Sequence, residues 1–325
     1  MATADRPVLG LDIGGTKLAV AVVTADGVAH ALQIEPTRPD QGPSVTIPRL
    51  FAMGHRSIDE AGLGAVSSVG ISCGGPLDAA AGVLRSPLHL PTWVDIPIVT
   101  LAHREFGVAA TLENDASAAA LAEQRYGHGR GLSTMIYLTI STGIGGGAVI
   151  NGQLHRGAAG NGGEFGHILV RSGGRACLCG RRGCLERYAS GTSIARRATE
   201  AVAQRGSGSS LARLKTIRAE DVVAAARAKD VLAREIWAET TELLAIAVTD
   251  LVNVFEPDLV VLGGGVTRAG AALLDPVRAA VQRDAMPPAA RAARIKITAL
   301  GESVGVIGAA AIAFDRQPQV EDVRV

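Results

Sequence analysis

The chain has 325 residues, enough for about two domains. Its 32 basic and 31 acidic residues leave a net charge of +1, which argues against a general attraction to nucleic acid or anionic lipid. Hydrophobic residues make up 47% of the chain and aromatic residues only 3%, so the core must consist mainly of Ala, Val, Leu and Ile. The sequence has no apolar run of membrane-spanning length and no signal-peptide pattern, and we expect a cytoplasmic protein with no membrane partner.

The first half of the chain predicts strands that end in glycine turns. Two short apolar runs on either side of a Gly-Gly pair predict a β-hairpin within residues 8–28. Further strands are predicted at 65–72 and 109–112, and an Ala-rich helix is predicted at 116–126. Strands that alternate with helices indicate an α/β fold.

The second half repeats this pattern about 130 residues later. The apolar run 135–141 leads into a glycine turn and a second apolar run, which again predicts a hairpin. The repetition suggests two related α/β domains. Beyond it we expect a loop at 204–210, a long amphipathic helix at 230–255, a buried strand at 258–266 and a closing helix at 306–314.

Three of the predicted strands end in polar, glycine-rich turns, at 12–17, 141–147 and 262–266. Glycine lets backbone N–H groups approach a phosphate, and ligands of α/β sheets gather at the carboxyl ends of strands. The three turns therefore favour a nucleotide-phosphate site. None of them has the spacing of a P-loop or of a Rossmann turn.

Glu113, Asn114 and Asp115 lie between a predicted strand and a predicted helix. A carboxylate in this place could act as the general base of a phosphoryl transfer. An Asn or Asp before an Ala-rich helix is equally an ordinary N-cap. The spacing alone leaves both interpretations open.

A candidate metal site combines His167 with Cys177, Cys179 and Cys184. Three thiolates and one imidazole form a closed tetrahedral set that suits structural zinc and leaves no open position for catalysis. The alternative is a reduced loop without metal. The remaining cysteine, Cys73, follows an apolar strand and is expected to be buried.

The segments LGLDIGGTK, ENDASAAALAE, STGIGGG, GGEFGHI, CLCGRRGCLE and VLGGGV occur in the order found in the ROK family of sugar kinases and repressors, and the chain resembles this family over residues 8–314. The resemblance implies the actin-like ATPase fold, with two ribonuclease-H-like domains and a central cleft. We expect a smaller domain of residues 1–117 plus 304–325 and a larger domain of residues 118–303 that carries the zinc loop.

The resemblance also implies an ATP-dependent kinase for the 6-hydroxyl of a hexose, with Asp115 as the catalytic base. The residues that it implies for sugar binding are Gly75, Asn114, Asp115, Glu164, His167 and Glu186. Those that it implies for ATP and Mg²⁺ are Asp12, Gly14, Gly15, Thr16, Lys17, Thr142, Gly143, Gly263, Gly264 and Gly265. Structural Zn²⁺ would be held by His167, Cys177, Cys179 and Cys184.

One position departs from the family pattern. In the segment 87–93, PLHLPTW, His89 stands where many members have an asparagine that contacts the sugar. His89 is therefore a further candidate sugar ligand. Imidazole is larger than an amide and can carry charge near pH 7. Either His89 points away from the sugar or replaces the amide contact without changing the substrate, or the substrate is a modified hexose such as 3-amino-3-deoxyglucose, N-acetylglucosamine or N-acetylmannosamine.

Other functions fit the sequence less well. A sugar-responsive repressor of the family would need a DNA-binding domain before the first phosphate turn, and that turn already begins at Asp12. An actin-like chaperone ATPase would need neither the zinc cluster nor the sugar-binding carboxylates. Polyphosphate could replace ATP, but the phosphate turns carry no unusual basic cluster. We expect a homodimer or homotetramer, as relatives often form.

Overall fold

The computed structural model describes residues 6–205 and 208–316, which form two units, each with its own core. Unit 1 extends through Gly131, takes in Arg156–Gly160 and resumes at Ala299. Unit 2 comprises Leu132–His155 and Asn161–Thr298. The domain boundary expected after residue 117 falls inside the helix Asp115–Tyr126, and this helix belongs wholly to unit 1.

The elements of unit 1 alternate between strand and helix as the sequence predicts. Its strands are β1 (Val8–Ile13), β2 (Lys17–Val23), β3 (Ala29–Pro36), β4 (Ser68–Cys73), β5 (Leu77–Asp78), β6 (Val83–Leu84) and β7 (Ala109–Asn114). Its helices up to residue 131 are the 3₁₀ turn Pro39–Gln41, α1 (Pro43–Ala61), α2 (Ile98–Phe106) and α3 (Asp115–Tyr126). The main sheet has the order β3-β2-β1-β4-β7, in which β1, β2 and β3 are antiparallel neighbours and β1, β4 and β7 run parallel.

Unit 2 repeats this topology. Its strands are β8 (Met135–Ile140), β9 (Ile144–Ile150), β10 (Gln153–Leu154), β11 (Leu259–Gly263) and β12 (Arg294–Ile297). Its helices are α4 (Glu186–Ala189), α5 (Gly191–Arg205), α6 (Ala219–Arg227), α7 (Val231–Phe255), α8 (Ala271–Asp284) and α9 (Pro287–Ala292), with 3₁₀ turns at Phe165–His167, Ser210–Arg213 and Gly265–Ala269. The sheet order β10-β9-β8-β11-β12 again joins an antiparallel meander to two parallel strands. The chain then returns to unit 1 through the 3₁₀ turn Gly301–Ser303 and α10 (Val304–Arg316).

The predicted elements are confirmed, with small shifts at their ends. Asp230 is the N-cap of α7 and not its first residue, because its carboxylate accepts the backbone N–H of Ala233 at 3.0 Å. The loop expected at 204–210 is shorter, since α5 continues to Arg205, and residues 206 and 207 of it lie outside the described residues. None of the helices in the described ranges combines the length and the apolar character needed to cross a bilayer.

The core of unit 1 has two layers, one on each face of its sheet. Leu9, Leu11 and Ile13 of β1 point to the face covered by α1 and α2, which follows from the alternation of side chains along a strand. On the other face Gly10 and Gly70 are register partners, and α10 lies directly on them. A Cβ at Gly10 would overlap the carbonyl oxygen of Val306, and one at Gly70 would overlap that of Ala309.

Helix α10 also packs against α3. At Gly308 a Cβ would lie 2.6 Å from the carbonyl carbon of Ala118, so these two helices meet backbone to backbone. The start of α3 is therefore held at a fixed distance from the ends of β1 and β4. In unit 2 the contact between sheet and helix is made by larger side chains. Ile136, Leu138, Val260 and Leu262 of the sheet belong to one buried cluster with residues of α7.

The close packing of α10 predicts that Gly70→Ala destabilises unit 1 by about 3 kcal/mol or more, because the added methyl group meets backbone that cannot turn away. Urea denaturation measures this. Gly208→Ala is the control, since no atom lies within 4 Å of its Cβ position, and we expect a change within about 0.5 kcal/mol. Equal stability of the two variants would contradict the packing argument.

Candidate active site

A row of polar side chains crosses the sheet of unit 1 near the carboxyl ends of its parallel strands. Asp12 of β1 is the register partner of Ser72 of β4, which is the partner of Glu113 of β7. Side chains in register share one face of a sheet. The hydroxyl of Ser72 donates to Oδ1 of Asp12 at 2.8 Å. Two carboxylates therefore lie on the face that α10 covers.

The surroundings of Asp12 make its carboxylate easier to protonate than an exposed aspartate. Burial raises the pKa of Asp12 to about 6, and the neighbouring charge of Asp115 adds to this effect. The hydrogen bond from Ser72 and the positive charge of Lys17 act in the opposite direction. A cation bound beside Asp12 would also lower the pKa of this residue. The carboxylate would then be ionised and available as a ligand.

The structure confirms the N-cap interpretation for Asn114, and the neighbouring Asp115 stays the candidate general base. The side-chain oxygen of Asn114 caps α3, accepting from the backbone N–H groups of Ala116 at 3.0 Å and Ser117 at 3.2 Å. Asp115 is the first residue of the helix, and its Oδ1 accepts from Ala116 at 2.8 Å. Its Oδ2 faces Gly74, where a Cβ would lie 3.8 Å away.

The pKa of Asp115 is raised, chiefly because burial removes its carboxylate from water. The backbone N–H of Ala116 and the charge of His89 lower it in part. Such a carboxylate is a stronger base than an exposed one, while the N-terminus of α3 still stabilises its ionised form.

The first glycine turn lies against the segment that contains His89. The N–H of Gly14 donates to the carbonyl of Lys17 at 3.0 Å, which closes the turn between β1 and β2. A Cβ at Gly15 would overlap Cβ of His89, so only glycine allows this contact. Behind the turn, the buried Thr37 donates its hydroxyl to the carbonyl of Gly14 at 2.6 Å.

Gly75 lies beside the same corner. A Cβ built on it would lie 3.9 Å from Nδ2 of Asn114, and its carbonyl accepts the N–H of Leu88 at 3.1 Å. The structure thus brings together the predicted residues of unit 1, which are Asp12, Gly14, Gly15, Thr16, Lys17, Gly75, His89, Asn114 and Asp115.

In unit 2 the segment that contains Glu164 and His167 is seated on β9 through glycines. At Gly163 a Cβ would lie 2.5 Å from the carbonyl oxygen of Gly146, and at Gly166 it would overlap that of Ile144. This close approach fixes the backbone on both sides of Glu164.

The four predicted metal ligands come together. Their donor atoms all lie within 4.8 Å of one another. Nδ1 of His167 is 3.6 Å from Sγ of Cys177, and Sγ of Cys179 is 3.7 Å from that of Cys184. Zn–S bonds of about 2.3 Å in a tetrahedron require sulfur–sulfur distances of about 3.8 Å. The donor set and its spacing therefore fit structural zinc. Nε2 of His167 faces Glu164 instead, 3.7 Å from Oε2.

The cysteine loop leads into α4, where Glu186 contacts the second glycine turn. Oε2 of Glu186 accepts the N–H of Ile144 at 2.9 Å, and the N–H of Gly191 donates to the carbonyl of Ser141 at 2.7 Å. Glu186, predicted for the sugar, therefore lies next to Thr142 and Gly143, predicted for phosphate.

Two arginines, Arg197 and Arg171, contact Tyr188 of α4 and stabilise this helix. Arg197, only 4% exposed, donates to the carbonyl of Tyr188 at 2.8 Å and to the hydroxyl of Thr240 at 2.9 Å. Its charge is balanced by an ion pair with Glu239, which also binds Arg171. The guanidinium of Arg171 lies 5.4 Å from the centre of the Tyr188 ring, in cation–π geometry.

The third glycine turn follows β11. Gly264 has φ of +84°, and a Cβ there would lie 2.5 Å from the carbonyl oxygen of Ile140, so the turn lies against the end of β8. Gly263 packs against the hydroxyl of Tyr137, while Gly265 faces open space. Packing thus explains why residue 263 is a glycine. Gly265 is more accessible to solvent than Gly263.

Sequence reasoning missed Ser72, Thr37 and Arg156 as site residues. Ser72 had a signal, because Gly70-x-Ser72 repeats the pattern Gly10-x-Asp12 on the neighbouring strand. Arg156 pairs with Glu113, which is 43 positions away, and no local pattern indicates this contact.

Comparisons with known proteins cover most of the chain. The model of the ROK family matches residues 8–316. The glucokinase of Halalkalibacterium halodurans is 34% identical over 94% of this chain and 94% of its own length. That of Thermotoga maritima is 35% identical over 95% and 97%. The crystal structure of a ROK family glucokinase from Streptomyces griseus in complex with glucose and AMPPNP matches with a TM-score of 0.78 at 30% identity, covering 94% and 98%.

The geometry of the cysteine cluster predicts one zinc ion per chain, measured by elemental analysis of the purified protein. Cys184→Ser removes one of four ligands, and we expect it to lose the metal and to lower the melting temperature. Cys73→Ala, at the free cysteine of unit 1, retains the metal. Wild-type protein that folds and binds sugar at full strength without any zinc would contradict this assignment.

Proposed function

The chain belongs to the ROK family, and we propose that it is an ATP-dependent kinase that phosphorylates the 6-hydroxyl of glucose or a close relative. It has the actin-like ATPase fold of that family. The observation that carries the proposal is the position of Asp115, a partly buried carboxylate at the start of α3 beside the first phosphate turn.

Asp115 acts as the general base. Oδ2, which faces Gly74, takes the proton of the 6-hydroxyl as the hydroxyl oxygen forms a bond to the γ-phosphorus. The bond from that phosphorus to the β–γ bridging oxygen breaks, and ADP leaves. Because burial raises the pKa of Asp115, the carboxylate accepts this proton more readily than an exposed aspartate would.

The sugar is held by hydrogen bonds to its hydroxyls. The proposed contacts to these hydroxyls are Gly75, His89, Asn114, Asp115, Glu164, His167 and Glu186. His167 offers Nε2, since its Nδ1 belongs to the zinc cluster, and Glu186 offers Oε1, since its Oε2 is bonded to Ile144. A site built from such groups discriminates strongly against analogues that lack a hydroxyl.

ATP is held by backbone N–H groups of the glycine turns. These are the turns that contain Gly14, Gly15, Thr16 and Lys17, then Thr142 and Gly143, and on the adenosine side Gly263, Gly264 and Gly265. Mg²⁺, when bound with ATP, neutralises phosphate charge. A lone carboxylate such as Asp12 suits Mg²⁺, which keeps most of its water ligands. Zinc would be held by His167 and the three cysteines, where it would order the loop and take no part in the chemistry.

We expect Asp115→Asn to lower sugar-dependent release of ADP by about 10²-fold or more, because the amide cannot accept the proton. The assay uses Mg-ATP with glucose, mannose, glucosamine, 3-amino-3-deoxyglucose, N-acetylglucosamine and N-acetylmannosamine. Asp59→Asn makes the same change on the exposed surface of α1 and should retain full activity. A fully active Asp115→Asn variant would rule out the assigned base.

His89→Asn tests the electrostatic contact with Asp115. The charge of His89 lowers the pKa of Asp115, so its removal raises that pKa. Because the base must be ionised, the acid limb of kcat/KM should move to higher pH. His55→Asn, on the exposed side of α1, should leave the limb unchanged. A limb that stays in place would argue against this contact, and a changed order of preferred sugars would make His89 a determinant of specificity.

A further inference from the structure

Glu113 is a buried carboxylate for which the proposed chemistry has no use. Its side chain is 1% exposed. Oε1 accepts the backbone N–H of Asn114 at 3.1 Å, and Oε2 accepts Nε–H of Arg156 at 2.7 Å. Glu113 therefore connects Arg156 to the backbone that precedes the catalytic aspartate.

Arg156 lies in a short segment that belongs to unit 1, although the chain before and after it belongs to unit 2. The segment Arg156–Gly160 follows β10 and precedes Glu164. Gly157 and Gly160 have φ of +70° and +78°, and residues 157–160 are exposed. Arg156 is the partly buried member of the segment, with a side chain 34% exposed.

The ion pair has an electrostatic reason. Asp12, Ser72 and Glu113 form one row across the sheet, and Asp115 lies two residues beyond Glu113. Without a cation, Glu113 would add an unpaired buried charge to a corner that already holds two carboxylates, and such charges are strongly unfavourable. Arginine keeps its charge at any pH and has a planar set of donors that suits this contact.

We propose that Arg156 is a positioning residue that acts through Glu113 to hold Asn114 and Asp115 in the geometry needed for the sugar. The inference rests on the proposed function, because it assigns Arg156 to the same site. Arg156 fixes the carboxylate of Glu113, and that carboxylate holds the N–H of Asn114. A displacement of about 1 Å at such a group can cost two orders of magnitude in rate.

The test compares Arg156→Gln, Arg156→Lys, Glu113→Gln and the double variant Arg156→Gln/Glu113→Gln. For each we would measure kcat, the KM for sugar and for Mg-ATP, the sugar Kd by calorimetry and the melting temperature. Arg125→Gln is the matched control. Arg125 forms an ion pair with Asp315 at the far end of α3, and its side chain is 29% exposed.

We expect Arg156→Gln to lower kcat and to weaken sugar binding by about tenfold or more each, with the KM for Mg-ATP within about twofold of wild type. Arg156→Lys keeps the charge and should recover part of both losses. The double variant removes both charges and leaves two amides that can bond to each other, so it should exceed either single variant in activity. Arg125→Gln should change only the melting temperature.

Two results would overturn the inference. If Arg156→Gln loses stability like Arg125→Gln while its kcat and sugar Kd stay at the wild-type values, the ion pair is structural only. If the double variant is no better than the single variants, positioning through Glu113 is wrong. Failure of the proposed function is a separate result, since wild-type protein would then neither turn over nor bind any sugar of the panel, and the inference would fall with it.

Discussion

The direct contact between α10 and the sheet of unit 1 determines how the candidate site is built. Gly10 and Gly70 lack a Cβ, so the backbone of α10 rests on β1 and β4. In the same helix Gly308 meets the backbone of α3, and at Gly305 a Cβ would overlap the carboxylate of Asp12. One helix thus contacts both the strand that carries Asp12 and the helix that begins with Asp115.

The same contact sets the electrostatics. By covering the ends of β1 and β4, α10 shields Asp12 from part of the surrounding water, and burial raises the pKa of both Asp12 and Asp115. Neutral and cationic groups then limit the effect. Ser72 and Lys17 lower the pKa of Asp12, and His89 lowers that of Asp115. The proposed role of Arg156 extends this pattern. Glu113 is paired with Arg156, just as Asp12 and Asp115 have polar or cationic neighbours of their own.

The sequence could predict features that depend on local pattern. The two hairpins, the glycine turns and the cysteine cluster follow from apolar periodicity and short spacings, and the structure confirms them. Asn114 and Asp115 show why two interpretations could not be separated, since adjacent residues divide the roles of cap and candidate base. The bonds Arg156–Glu113 and Glu186–Ile144 join residues more than 40 positions apart, and only the folded chain shows them.

The two units have the same topology but hold their site residues by different means. In unit 1 regular elements suffice, since Asp12 lies on a strand and Asp115 begins a helix. In unit 2, Glu164 and His167 lie in a glycine-rich stretch between β10 and α4 whose described residues contain little regular structure. Ordering such a stretch costs conformational entropy of roughly 1–2 kcal/mol per residue. The glycine contacts on β9 and the hydrogen bonds of Arg197 around Tyr188 offset part of this cost. A zinc ion on His167 and the three cysteines would offset more, because it would cross-link the stretch near both Glu164 and Glu186. With all four coordination positions filled by protein, such an ion would stabilise the stretch without taking part in the chemistry.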